Sequence, residues 1–283
     1  MVALLPRPTS KKRKGQLKSY RRRQMGSANV QGSLWGGAPE DWADFQESAF
    51  LPLWADALRA VHARQGMRVL DAGCGAGGAC VEADKISCEI TGLDASAALL
   101  NIARRRLPDA RFQEGDIESL PFEDSEFDAV IAVNSVLYAS DAAQAVREMA
   151  RVTRPEGRVV ITTWGKPEDC EVKDVLDAVV GMFPFKPPRG PFWLSEPGTI
   201  EDLLKGAGLT LIESGETRCD FTYPSLEICW RAQRSSGPLQ AAIKAMGEAR
   251  VRSAVEEAVK SHTDTSGAIV LRNIFIWAAG KQR

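Results

Sequence analysis

The densest chemistry in the chain is the run Val69-Leu70-Asp71-Ala72-Gly73-Cys74-Gly75-Ala76-Gly77-Gly78. Its first part is apolar and its second part is small, so it reads as a buried strand that turns sharply into a helix. Glycine at such a turn permits positive φ and lets backbone N–H groups approach a ligand with no Cβ in the way. The following helix aims its positive end at the same point. A nucleotide-type cofactor is expected there. The glycines alone leave its identity open, because Gly73, Gly75 and Gly78 also satisfy the dinucleotide pattern GxGxxG, and Asp94 lies at a spacing suited to a ribose.

Three further features narrow the choice. Asp71, two residues before the first glycine, would face a diphosphate unfavourably and would suit the cationic amino group of a methionine moiety. A second acidic strand end, Gly115-Asp116-Ile117, could accept from an adenine amino group. The runs Leu120-Pro121-Phe122 and Ser125-Glu126-Phe127-Asp128 complete a pattern that dehydrogenases do not use.

With these motifs the chain resembles the class I S-adenosylmethionine-dependent methyltransferases, in the type 11-like subgroup that acts on small molecules. The resemblance spans roughly residues 30–280, and its motifs concentrate in residues 69–164. It implies an α/β fold: a Rossmann-like, seven-stranded, mostly parallel sheet with an antiparallel last strand, which residues 269–279 would supply. It also implies that Gly73, Gly75 and Gly77 line the methionine and ribose, with Asp71 near the amino group. Asp94 would bind both ribose hydroxyls, Ala95 would lie beside the adenine and Leu99 against its face. Asp116 and Ile117 would take the adenine edge, and Asn134 would sit near the methionine portion.

The opening Gln31-Gly32-Ser33-Leu34-Trp35 and the pair Asp41-Trp42 also resemble that subgroup, in which N-terminal helices close over the cofactor. Trp35 and Trp42 are therefore expected at the cofactor, although both could simply cap the core. An indole face beside a sulfonium would add a cation–π attraction of about 0.5–2 kcal/mol.

The elements that must position these residues follow from periodicity. Short β-rich runs at 67–71, 89–94, 111–116, 128–133 and 158–164 alternate with helical segments at 77–85, 97–107 and 141–152. This βαβα order, with runs apolar on both faces, implies a parallel sheet covered by helices on both sides. Asp141 is placed to cap its helix, and Arg154-Pro155-Glu156-Gly157 reads as the turn after it. N-terminal lid helices are expected over residues 33–65, a cofactor-binding core over 66–165, and cap insertions at 166–195 and 225–262, the latter as two helices. A strand is expected near 209–213.

The first insertion carries Phe183, Phe185, Phe192 and Trp193 among Pro167, Pro184, Pro187, Pro188 and Pro191. Together with Phe221, Tyr223 and Trp230 it could form an apolar lid over a planar acceptor, or a satellite core under long loops.

Methyl transfer from a sulfonium needs alignment more than activation. Orientation can contribute about 7–11 kcal/mol and a general base roughly 10²- to 10⁴-fold. The catalytic candidates are Tyr138, just beyond the fourth strand, and His262, in the loop that enters the last strand. His62, the other histidine, reads as a solvated helix end.

Residues 44% apolar and 26% charged describe an ordinary globular chain, and no apolar run is long enough to span a bilayer. The six dispersed cysteines lack zinc spacing and read as reduced thiols, which points to the cytoplasm. The net charge of -1 hides a basic tail over residues 1–27, expected to be disordered, ahead of an acidic catalytic domain over residues 28–283. Met25-Gly26-Ser27 makes a start extension one reading of that tail; targeting or nucleic-acid contact are others.

The expected partner is a small, hydrophobic or aromatic methyl acceptor, taking the methyl group on oxygen or nitrogen; neither a membrane nor a nucleic acid is expected. Four alternatives stay open: RNA methylation, arsenic methylation through Cys170 and Cys219, a nicotinamide oxidoreductase, and a catalytically silent S-adenosylmethionine-binding protein.

Overall fold

A computed structural model describes residues 27–183 and 189–283. The basic tail, apart from Ser27, therefore lies outside the described residues, as do Pro184, Phe185, Pro187 and Pro188 of the aromatic insertion.

The chain enters through a helix, Ala28–Trp35 (α1), and a segment that changes its winding three times. A short turn at Pro39–Asp41 passes into a π-helix at Trp42–Gln46 and a 3₁₀ turn at Glu47–Phe50, then into Leu51–Ala60 (α2). Leu53, Trp54, Ala57 and Leu58 share one face of α2 and are buried by it.

The sheet is built from Arg68–Ala72 (β1), Glu89–Asp94 (β2), Arg111–Glu114 (β3), Phe127–Val133 (β4), Thr153–Trp164 (β5), Thr210–Arg218 (β6) and Ile274–Lys281 (β9). The last of these is numbered after a separate two-stranded sheet, Phe221–Tyr223 (β7) with Ile269–Leu271 (β8). The main sheet runs in the order β3-β2-β1-β4-β5-β9-β6. The pairs among β1 to β5 are parallel, and β9 lies antiparallel to both β5 and β6. Strand order reverses between β1 and β4, so the carboxyl ends of those strands open a crevice. Central strands apolar on both faces require helices above and below.

Those helices are Gly78–Lys85 (α3), Ala97–Arg106 (α4), Ala142–Val152 (α5), Val172–Val180 (α6) and Thr199–Gly206 (α7). Leu226–Arg234 (α8), Gly237–Met246 (α9) and Glu248–Ala258 (α10) follow. Ser96 caps α4 through its hydroxyl, 3.3 Å from the Leu99 N–H, and Asp141 caps α5 at 2.9 Å from the Gln144 N–H.

Four elements differ from the sequence reading. The turn read at residues 154–157 is a bulge inside one long strand, because Thr153 pairs with Phe127 while Arg158 pairs with Ala129; Glu156 takes a φ of 66° to accommodate the surplus residues. Residues 225–262 hold three helices, Gly247 at φ 86° separating the second from the third. The strand near 209–213 extends to Arg218. The strand read over 269–279 is two, split at Asn273.

Asn273 makes that split stable. Its buried Oδ1 accepts from the Val172 N–H at 3.0 Å, and its Nδ2 donates to the carbonyls of Leu271 at 2.8 Å and Cys219 at 3.4 Å. One amide thus satisfies backbone groups from three segments where the ladder is interrupted. Replacing Asn273 with Ala should lower stability in urea unfolding by at least about 2 kcal/mol, since each buried group left unpaired costs about 1–3 kcal/mol. An unchanged midpoint would show that other contacts hold the break.

Candidate active site

The glycine turn closes the end of β1. Gly73 and Cys74 donate their N–H groups to the Leu93 carbonyl at 2.7 and 3.0 Å, which ties the turn to β2. Gly73 and Gly75 adopt φ of 93° and 56°, conformations that glycine reaches without strain. A Cβ on Gly73 would lie 2.4 Å from that of Ser135, whose hydroxyl donates to the Ala72 carbonyl at 2.6 Å. The ends of β1 and β4 are thereby held against each other.

A cavity lies over this turn. Asp71, Gly73, Gly75, Asp94, Ala95 and Leu99 line it, with Asp116 and Ile117 and with Trp35, Trp42, Asn134 and Tyr138. Gly77 does not line it, contrary to the sequence reading. Its backbone is left-handed at φ 86°, and an added Cβ would sit 2.9 Å from that of Ala103, so it serves the packing of α4.

Three carboxylates surround the turn. The Asp94 Oδ2 accepts from the Gly75 N–H at 2.9 Å and its Oδ1 from the Ser96 N–H at 2.8 Å; burial raises its pKa against those donors. Among the described residues Asp71 receives only the Cys80 thiol, at 3.5 Å on Oδ2, and its buried Oδ1 has no partner. Burial, reinforced by Asp94 and Glu47, pushes Asp71 up to about 7. Glu47 accepts from the Gly78 N–H at 3.2 Å and is paired with Arg106, which also donates to the carbonyls of Ala76 at 2.9 Å and Ala43 at 3.2 Å. Burial holds the Glu47 pKa above the usual carboxylate range even so.

Glu47 decides between the two cofactor classes. A dinucleotide would place its diphosphate at the amino end of α3. Here that N–H already holds a carboxylate, and two more buried carboxylates flank it. Another anion would be repelled, whereas a cation finds an uncompensated acceptor in Asp71 Oδ1. The nicotinamide reading fails on this arrangement.

The N-terminal helix forms part of the cavity lining. Ser27, Ala28 and Gln31 line it, and a Cβ on Gly32 would fall 2.1 Å from the Ala95 carbonyl oxygen. Glu118 fastens the start of the helix, accepting from the Ser27 N–H at 3.2 Å and hydroxyl at 2.9 Å.

A second, smaller chamber adjoins the first. Trp35, Trp42, Phe50, Asn134 and Tyr138 line both. The indoles of Trp35 and Trp42 meet edge-to-face at 5.0 Å, and Trp35 meets Tyr138 at 5.2 Å. Asn134 is held at φ 52°, unusual for a residue with a side chain, and its Oδ1 is buried without a partner at this seam. Beyond the seam the chamber is bounded by Trp164, Phe221, Gln46 and Gln233, and none of its lining side chains is charged or a cysteine. Burial holds the Tyr138 phenol above its ordinary pKa, so it is a donor and not a base.

His262 lines neither cavity. Its Nε2 lies 2.8 Å from Asp174 Oδ2 and its Nδ1 3.6 Å from Glu171 Oε2, on the outer side of α6. The loop that was read as entering the main sheet leads instead into β8, which carries the imidazole away from the seam. The aromatic insertion divides similarly. Phe221 and Pro191 reach the second chamber, but Trp193 turns its indole N–H to the Leu137 carbonyl at 3.1 Å, and Tyr223 and Trp230 are buried in the core. All six cysteines are free and buried. Cys170 donates to the Ile274 carbonyl and Cys219 lines neither cavity, so no thiol pair faces the seam for arsenic. Glu47, Gln46 and Gln233 are the polar groups that sequence motifs did not reveal.

Residues 70–161 match the methyltransferase domain family. The chain is 30% identical over 211 residues to the malonyl-[acyl-carrier protein] O-methyltransferase of Enterobacter lignolyticus, an alignment covering 65% of this chain and 83% of that protein. It is 38% identical over 116 residues to the demethylmenaquinone methyltransferase of Beutenbergia cavernae, covering 41% of this chain and about half, 48%, of the relative. Among solved structures, the YcgJ protein of Bacillus subtilis superposes with a TM-score of 0.54 at 22% identity, covering 81% of this chain and 97% of that one, a likeness of fold. Sequence kinship and an acidic cavity built for a cation agree: the chain belongs to the class I S-adenosylmethionine-dependent methyltransferases.

Proposed function

We propose that this chain methylates an uncharged, flat, largely apolar acceptor held in the second chamber, on oxygen or nitrogen, by proximity and orientation. The observation that carries this reading is the shared wall between an acidic cavity and an uncharged aromatic one. S-adenosylmethionine supplies a methyl group on a sulfonium whose departure leaves a neutral thioether.

The cavity fits that cofactor. Two buried polar atoms without partners among the described residues, Asp71 Oδ1 and Asn134 Oδ1, belong to residues that line it. Asp71 would hold the amino group, and Asn134 would face the methionine portion at the seam. Asp94 has a lone pair remaining on each oxygen for the ribose hydroxyls. Ala95, Leu99, Asp116 and Ile117 would receive the adenine, and Gly73 and Gly75 would let the backbone approach. Trp35, Trp42 and Tyr138 would exclude water from the seam.

No side chain in the second chamber can serve as a base at neutral pH, so the roughly 10²- to 10⁴-fold of general-base catalysis is absent and positioning must dominate. A nucleophile that is neutral and already nucleophilic, such as an amine, or one that ionises by itself, suits this chamber. An acceptor ending in a carboxylate, as malonyl would, finds no cation there; the flat ring implied by demethylmenaquinone fits better. Nor do lysines or arginines line it to receive a nucleic-acid phosphate.

Assays with labelled cofactor against matched aromatic pairs, one neutral and one bearing a carboxylate, should show transfer to the neutral member; preference for the carboxylates would overturn the reading. Asp94→Asn should weaken cofactor binding in calorimetry at least tenfold, about 1.4 kcal/mol, because the amide nitrogen cannot accept a ribose hydroxyl.

Asp71 gives a pH signature. With a pKa of about 7 in the free protein, it is largely protonated at pH 6 and must lose that proton to pair with an ammonium. Affinity should therefore rise as pH increases from 6 to about 7.5, until the ligand's own α-amino group, pKa about 7.7–8.0, begins to deprotonate. Calorimetry in buffers of different ionisation heat should find close to one proton released per cofactor bound at pH 6, and none with Asp71→Asn.

A further inference from the structure

Two glutamines, Gln46 and Gln233, line the second chamber and take no part in the first. They meet behind its wall on a single hydroxyl. Tyr223 donates to Gln46 Oε1 at 2.7 Å, and Gln233 Nε2 donates to the Tyr223 oxygen at 2.8 Å. Tyr223 is 1% exposed, and these are its hydroxyl's hydrogen bonds among the described residues.

A phenol has one proton to give. If both amides turned nitrogen toward it, that buried proton would lose its acceptor; if both turned oxygen, one would face a lone pair with nothing to receive. The two amides must therefore be oppositely oriented. If both rotate, they exchange roles but stay opposite. Whatever Gln46 presents to the chamber, Gln233 presents the complement: one amide N–H₂ and one carbonyl oxygen. Burial keeps the Tyr223 phenol protonated far above neutral pH, so the constraint holds throughout the working range.

The frame around this pair is fixed. Gln46 ends the π-helix that also carries Trp42, a winding that is rare outside functional positions. Gln233 stands on α8, which is bound to the start of that segment by the buried Asp41: Arg231 donates to its Oδ1 at 2.9 and 2.6 Å, and Arg234 to its Oδ2 at 2.8 Å. Arg231 also lies over the Phe45 ring, 4.3 Å from its centroid. Ser236, the neighbouring hydroxyl of the chamber, is turned back to the Gln233 carbonyl at 2.9 Å.

We infer that Gln46 and Gln233, set in opposite polarity by Tyr223, select methyl acceptors that carry, apart from the atom methylated, one hydrogen-bond donor beside one acceptor on an uncharged flat frame, a lactam or hydroxy-carbonyl edge. The inference rests on the second chamber being the acceptor site. Tyr223 touches no substrate in it; it is a positioning residue.

The probes are carbostyril, a neutral bicyclic lactam with adjacent N–H and carbonyl, and its N-methyl derivative, which keeps the ring and the carbonyl but has no donor. Titrated into the full chain by tryptophan fluorescence, carbostyril should bind at least tenfold more tightly than the N-methyl compound. In Tyr223→Phe the amides are free to turn both nitrogens outward, so that ratio should fall to threefold or less, a change that simple loosening of the fold would not produce. Gln46→Met and Gln233→Met should each weaken carbostyril about tenfold. The variant that removes the outward N–H₂ should also weaken the N-methyl compound, and this identifies which amide faces the ligand as donor; these two variants decide the matter if Tyr223→Phe does not fold. Equal affinities in the unaltered protein, a ratio that survives Tyr223→Phe or both Met variants, or no saturable binding of carbostyril would overturn the inference. S-adenosylmethionine binding measured on the same samples separates the two readings: its retention with any of these results leaves the methyltransferase reading intact.

Discussion

The structure turns on one buried carboxylate. Glu47 reaches from the N-terminal segment to the amino end of α3, where it takes the Gly78 N–H, and its charge is returned by Arg106 from α4. That contact joins three parts of the chain that share no sequence proximity. Its cost is the desolvation of an ion pair, which is repaid only when geometry and extra hydrogen bonds are good; the two carbonyls that Arg106 also binds supply some of them. Because the carboxylate fills the helix end, the glycine turn cannot act as an anion cradle. A motif that elsewhere serves a diphosphate is thus converted into one side of a cation site.

From this follows the division of labour between the two cavities. The cofactor side gathers Asp71, Asp94 and Glu47, whose mutual repulsion and burial leave Asp71 short of a counter-ion. The second chamber has no charge at all among its lining residues. A positive ligand is drawn to the first and has no counter-charge to attract it into the second. Trp35, Trp42, Phe50, Asn134 and Tyr138 line both cavities. Neither lining contains a histidine.

What could be read from the sequence is what is local in it. The strand, glycine turn and helix of residues 69–85 announce themselves because the turn's backbone needs dictate residue type within a few positions. Asp94, Asp116 and Asn134 are legible for a similar reason, each closing a β-rich run at the same edge of the sheet. Gly77 was misread because a glycine required for packing against Ala103 looks the same as one required for a ligand. His262 was misread because its destination depends on where the final strand breaks, and Asn273 breaks it through backbone groups of its own segment and of two distant ones. Glu47, Gln46 and Gln233 carry no motif. In a helical stretch such residues read as a solvated face, and only the partners brought to them, Gln46 and Tyr223 from 177 positions apart, give them a role.

The same long-range logic bears on how a ligand enters. Among the described helices of eight residues or more, α1 alone buries none of its residues. Yet Ser27, Ala28, Gln31 and Trp35 form part of the cofactor wall. The helix is attached by polar contacts, Ser27 to Glu118 at one end and Lys244 to the Ser33 hydroxyl at 2.8 Å along its side, by the close seat of Gly32 on Ala95, and by the Trp35 ring against Trp42 and Tyr138. Hydrogen bonds at a surface exchange for water at little net cost, whereas buried apolar area does not. Opening the cavity at α1 therefore sacrifices less than opening it at α2 or α8, whose buried faces belong to the core. A bound cofactor would add its own contacts to those of α1, so the element that is cheapest to lift is also the one that ligand binding stabilises most in proportion.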